Sequence, residues 1–225
     1  MASILCFNCR GLTGDFESAM WTAATEIFGA EVELRGCLFH WNQAIYRRIQ
    51  DSGLQKGFHT KRGVNSFCKL IMALPFLPAE WIEPVFQQLK RAAPTAKITG
   101  LLDYVERQWI SSTTFPIASW SVYKRPFRTN NDVEGWHHKL NASSRAAGLN
   151  MYKLIHVLHI EAIDVQYACR FVSEKLMMRC QRKIYARLHG RIFELWAKFG
   201  VGGLSAKQLL RECSHFVKTV AVDYD

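Results

Sequence analysis

The sequence predicts a mainly α-helical protein with a small β element near its start. Apolar residues recur at three- and four-residue spacing through most of the 225 positions, the signature of helices with one buried face. Prolines and glycines, 6 and 14 in number, punctuate that pattern rather than form a tract of their own. Glu31–Leu38 alternates with a period of two, Val32 and Leu34 against Glu31, Glu33 and Arg35, as a half-buried strand does.

Taken in chain order, Asp15–Phe28 carries Phe16, Ala19, Met20, Ala23, Ala24, Ile27 and Phe28 at helical spacing, and Gly29 supplies the stop. After the strand, His40–Ile49 reads as a second helix. Asn65–Leu74 is apolar and ends at Pro75, and Pro78 opens Ala79–Arg91. Thr95 is placed to cap Ala96–Trp109, whose Ile98, Leu101, Leu102, Val105 and Trp109 form one stripe. Ser111–Asn131 reads as a loop, and a helix is expected to restart at Asp132 and reach about Ala147. A long helical stretch then runs from Met151 to Phe199 with a break near Gly190, the Gly200–Gly203 segment stops it, and Ser205 starts a short last helix. A lone strand cannot satisfy its own edges, so Glu31–Leu38 needs a partner.

Composition narrows the function. Apolar residues make up 49% of the chain, which excludes disorder and collagen-like repeats. A chain of this size buries roughly 70% of its unfolded surface. The longest apolar run, Leu70–Ala79, is interrupted by Pro75 and Pro78, far short of the about 20 residues a membrane span needs. The start, Met1–Phe7, lacks the basic opening of a signal peptide. Seven scattered cysteines suit buried thiols in a reducing compartment better than a disulfide scaffold. A net charge of +10 favours a polyanionic partner.

Four constellations carry chemistry. Asp15, in Gly14-Asp-Phe-Glu17, is a helix cap or a projected metal ligand. Cys37 and His40 form a Cys-x-x-His pair at the strand-to-helix junction, and with Cys6 and Cys9 they make a four-ligand zinc pattern on paper. Arg128–His138 crowds Asp132, Glu134, Trp136, His137 and His138 into one short segment, with Glu134 in a first helical turn where the dipole favours a carboxylate. Lys175, Arg179, Lys183, Arg187 and Arg191 recur every four residues, a basic ridge that is a solvated face or a phosphate track. His156 and His159 suit surface or packing positions, and no phosphate loop, nucleophile elbow or zincin pair occurs.

Read together, Asp15–Ala19, Gly36–Ala44, Leu101–Trp109 and Arg128–His137 resemble the catalytic region of Mutator-like element (MULE) transposases. The resemblance spans about Leu12 to Asn141 and, more loosely, the helical tail. It implies a partial ribonuclease-H-like α/β core of one or two short strands interrupted by a helical insertion. The implied divisions are a residual strand and helix segment at 1–38, the insertion at 39–128, the helix carrying the glutamate at 129–150 and a helical region at 151–225. Asp15 and Glu134 would be two members of an Asp, Asp, Glu triad, with Cys37 and His40 the family's Cys-x-x-His motif. Hard Mg²⁺ ions about 4 Å apart neutralise the attacking and leaving oxygens in such a site. Thiolate is too soft a ligand for Mg²⁺, so Cys37 and His40 would shape the site or touch DNA.

The family's first Asp should precede Asp15 by tens of residues, and none of Met1–Gly14 is acidic. The expectation is a C-terminal piece of a transposase acting on DNA in the nucleus, with weak Mg²⁺ binding and no cleavage by this chain alone. Transposases generally act as multimers, so a homo-oligomer is also implied. The alternative is a non-catalytic helical module for nucleic acid or protein, zinc-stabilised through Cys6, Cys9, Cys37 and His40.

Overall fold

The computed structural model describes residues 11–29, 31–60, 62–126, 128–129, 135–136, 140, 150–173 and 183–217, helical side chains at 62, 165–173 and 183–186 excepted. The chain forms two compact units, one of residues 1–130 with 190–225 and one of residues 131–189. Described residues are mainly helical with a small parallel sheet. No helix among them is long and apolar enough to cross a membrane.

The larger unit begins with β1 (Gly11–Gly14), α1 (Ser18–Phe28) and β2 (Glu33–Gly36). The partner that the alternating strand needs is β1, which is too short and glycine-rich to show alternation of its own. The two strands pair in parallel, Gly11 with Glu33 through Gly14 with Gly36. Parallel strands need a crossover, and α1 is that crossover. Gly29 ends α1 at φ 85°, a left-handed conformation that glycine adopts without a Cβ penalty.

The phase of α1 differs from the expected stripe. Trp21 and Ala24 are buried, whereas Ile27 is 74% exposed. The Trp21 indole sets the phase, since it packs edge-on against Phe115 at 4.9 Å and donates to the Asp15 carbonyl at 2.7 Å.

Helix α2 (Leu38–Asp51) buries Leu38, Trp41, Ile45, Tyr46 and Ile49 on one side. Short α3 (Gln55–Thr60) and α4 (Arg62–Met72) follow, and the apolar run ends in a 3₁₀ turn at Leu74–Phe76 where Pro75 halts the α-helix. Pro78 stands at the N-cap of α5 (Ala79–Arg91). Thr95 caps α6 (Ala96–Val105), its hydroxyl accepting from the Ile98 amide at 3.3 Å. The predicted stripe of Ile98, Leu101, Leu102, Val105 and Trp109 is buried throughout. The helix does not stay α to Trp109, because Glu106–Ile110 widens into a π-helical turn closed by the Ser111 amide on the Glu106 carbonyl at 2.9 Å.

The stretch read as a loop contains α7 (Ile117–Trp120) and is woven into the core. Phe115, Trp120 and Val122 are buried, the Val122 amide donates to the Pro75 carbonyl at 2.7 Å, and the Ser121 hydroxyl donates to the Leu77 carbonyl at 2.7 Å. Ser112, Ser119 and Ser121 bond backbone groups, whereas Ser111, Thr113 and Thr114 are exposed. Arg125 holds the end of α7 through the carbonyls of Ala118 and Ser119 and reaches the Glu33 carboxylate at 3.2 Å.

The second unit contains α8 (Met151–Ser173), where Glu161 is buried and accepts from the Trp136 indole at 3.2 Å. Helix α9 (Lys183–Gly200) continues through Gly190 instead of breaking there. From Gly190 onward it belongs to the larger unit, with Ile192 and Trp196 buried and the Trp196 indole donating to the Phe76 carbonyl at 2.9 Å. The last helix, α10 (Ala206–Ser214), opens with a capping box between Ser205 and Gln208, as Ser205 predicted.

The sheet depends on two bare positions. A Cβ on Gly36 would lie 2.2 Å from Phe16 Cζ, and one on Gly14 would lie 2.5 Å from Met20 Cε. The Phe16 ring is rigid and hemmed by Trp109 and Phe115, whereas a methionine end swings aside. Gly36→Ala is therefore expected to cost about 1–3 kcal/mol, and Gly14→Ala clearly less. Urea unfolding of both variants checks the order, and equal losses would contradict it.

Candidate functional site

Parallel pairing brings the carboxyl ends of β1 and β2 side by side, the edge where α/β folds place ligands. The Cys37 amide donates to the Gly14 carbonyl at 2.8 Å, extending the ladder one step. Asp15 leaves β1 at that edge, and Cys37 caps α2 beyond β2. The Leu38 amide donates to the Arg128 carbonyl at 2.8 Å, so the start of the Arg128 motif lies against the same junction.

The first turn of α2 then sets His40 against Asp15, Nδ1 to Oδ1 at 2.9 Å. Both are partly exposed, with side-chain exposures of 20% for His40 and 48% for Asp15. Asp15 also sits at the amino end of α2, where the helix dipole favours negative charge.

These two residues open onto a cleft of about 330 Å³. Asp15, Phe16 and Glu17 form one side, His40, Gln43, Ala44 and Arg47 of α2 a second, and Tyr104, Gln108 and Trp109 a third. The α2 residues recur at steps of three, one and three, which puts them on one helix face opposite Trp41, Ile45 and Ile49. Tyr104 is steadied by the Arg48 guanidinium, 5.3 Å from its ring centre. Phe16, Trp109 and Phe115 make the floor in edge-on contacts of 4.6 and 5.4 Å. Three of the four segments that carry the MULE resemblance thus line one cavity.

Other expected site residues stand elsewhere. Glu134, Lys175, Arg179, Cys6 and Cys9 lie outside the described residues, as does the Lys183 side chain. Arg187 is exposed; Arg191 is exposed too, with its guanidinium 5.3 Å from the Phe216 ring centre. His156 and His159 are exposed on α8. Cys37 is fully buried. Burial pushes the Cys68 and Cys213 thiols up to about 12, which keeps them protonated and poor ligands at neutral pH.

Among the described residues no group of three His, Cys, Asp or Glu side chains is placed to hold a metal ion. Asp15 has the donor chemistry for a hard cation such as Mg²⁺, and Glu17 lines the same cleft. Cys37, a soft donor, is buried at the head of α2.

Arg47 and the π turn that presents Gln108 escaped the sequence reading. The recurrence of His40, Gln43, Ala44 and Arg47 on one helix face was the available signal for Arg47. Nothing local marks the turn, which is braced from outside: Lys90 of α5 bonds Glu106 and, at 2.9 Å, Asp103, while Gln87 donates to Glu106 at 3.1 Å. Comparison of the chain with protein-family models, curated protein sequences and solved structures finds no match in any of the three.

The brace has a pH signature. Hydrogen bonds from Lys90 and then Gln87 hold the Glu106 carboxyl below its ordinary value. Its stabilisation is complete above the ordinary value of about 4.3 and disappears as pH falls through the lowered one. Lys90 is raised by its bonds to Glu106 and then Asp103, so its share persists below about 10.4 and fades as pH rises through the higher value. Glu106→Gln is expected to flatten the acid limb of the stability curve, measured by urea unfolding at a series of acidic pH values. An unchanged limb would remove the brace from the account.

Proposed function

We propose that this chain is a MULE-type transposase-derived protein that binds DNA, with the Asp15 cleft as the catalytic region of a partial ribonuclease-H-like core. The observation that carries the reading is the convergence of Asp15, His40, Gln43, Tyr104, Gln108 and Trp109, drawn from three separated segments, on one cavity at the carboxyl edge of a parallel sheet. A helix-rich stretch between the Asp and the Glu supports it, as does the Arg128 segment starting beside the head of α2.

In this reading Asp15 would offer its carboxylate to Mg²⁺, which would neutralise charge on the oxygens of a phosphodiester in displacement; Glu134, the glutamate the resemblance implies, lies outside the described residues. His40 holds the Asp15 carboxylate toward the cleft. Arg187 and Arg191, with Lys175, Arg179 and Lys183, supply phosphate contacts along the tail.

A second reading, an interaction module for a protein partner or a second copy, is favoured by α8, where Met151, Tyr152 and Ile155 are 68, 85 and 54% exposed.

Fluorescence anisotropy with a labelled DNA duplex decides between them. The affinity is expected to fall linearly on a log–log plot against salt, by about 0.9 in slope for each phosphate contacted. No binding in low-salt buffer would sink the DNA reading and leave the interaction module.

A further inference from the structure

We propose that Arg47, Gln43 and Gln108 form the wall that grips a DNA phosphodiester beside Asp15, with Arg47 as the phosphate-binding cation and the two amides as neutral positioning contacts. This rests on the DNA reading and names the residues that would hold the substrate in that cleft.

The cleft has a charge problem that Arg47 answers. Asp15 and Glu17 line it and repel a phosphate, so a strand approaching Asp15 needs a cation in the same lining. Arg47 lies at the end of the α2 face that begins with His40, is exposed, and has no ion pair among the described residues. The neighbouring Arg48 is committed to the Tyr104 ring. A guanidinium with no carboxylate partner among the described residues, in the lining of a cleft that holds Asp15 and Glu17, has donors to offer an incoming phosphate oxygen.

Gln108 lines the same cavity from the π turn. Helices widen into single π turns frequently at functional sites, since the extra residue re-aims side chains at a cost in hydrogen-bond geometry. Here the turn lets Trp109 stay buried at 3% exposure while Gln108 lines the cleft. The Glu106 brace to α5 holds it in place. Gln43, one turn after His40, lines the same cavity from α2. Amide side chains both donate and accept, which suits phosphate oxygens or base edges alike.

The test uses the full chain and a labelled duplex in anisotropy titrations over a range of salt. Arg47→Ala is expected to weaken binding about tenfold and to lower the salt slope by about 0.9. Arg47→Lys is expected to restore the slope, because the charge returns. Gln108→Ala is expected to weaken binding severalfold with the slope unchanged. Circular dichroism confirms that each variant keeps its fold, as exposed sites should.

Wild-type binding with an unaltered affinity and slope in both Arg47→Ala and Gln108→Ala overturns this assignment and leaves the DNA reading standing. An absence of wild-type binding overturns both. Loss of slope in Arg187→Ala but not in Arg47→Ala would move the phosphate contacts to the tail and also refute the wall.

Discussion

The close approach of β1 to β2 at Gly14 and Gly36 is the constraint on which the larger unit depends. Two strands of four residues form no stable sheet in water by themselves. They persist here because Phe16 closes over Gly36, where any Cβ would meet its ring, and because α2 continues directly from β2 into the core. That junction decides where Asp15 and His40 stand, since each lies within a few residues of a strand end. A shift of one position in register would carry Asp15 away from the first turn of α2.

The aromatic network turns that local arrangement into a rigid one. Trp41 stacks on Trp120 at 4.6 Å, meets Trp109 at 4.9 Å and donates to the Met72 carbonyl at 3.1 Å. Trp109 in turn meets Phe16. Each such aromatic pair contributes about 0.5–1.5 kcal/mol beyond the area it buries. One chain of contacts therefore runs from the core of α2 to the residue after Asp15. The Trp109 and Trp120 indole N–H groups are buried with no hydrogen-bond acceptor among the described residues, a cost borne by this packing.

Charge is arranged around the same elements. Hydrogen bonding from Arg35 holds the Glu33 carboxyl below its usual range, and Arg125 adds to that from the α7 side. Burial lowers the Arg125 and Arg128 guanidinium groups without discharging them, so both carry charge partly removed from water. Arg125 thus ties the connection after α6 to the first residue of β2. The larger unit joins core, sheet edge and cleft through few side chains, each tied to backbone carbonyls or rings.

The sequence by itself determined the helices whose apolar stripes are unambiguous: α2, α5, α6 and the caps at Thr95 and Ser205 follow from spacing and local hydrogen-bonding chemistry, which act over three or four residues. It also singled out Cys37 and His40 from their place at a strand-to-helix junction, and Asp15 as a carboxylate opening a helix. Tertiary structure decided what no local rule encodes. β1 exists because β2 offers it a ladder, the α1 phase follows Trp21 rather than the commoner small apolar residues, and Ser119–Val122 in the polar stretch after α6 is buried with Ser121 and Val122 bonded to the backbone of Leu77 and Pro75. The π turn at Glu106–Ile110 and the meeting of Asp15, Arg47 and Gln108 arise from contacts between segments tens of residues apart. Their energies depend on packing and pairing, which amino-acid order alone leaves open until the chain has closed on itself.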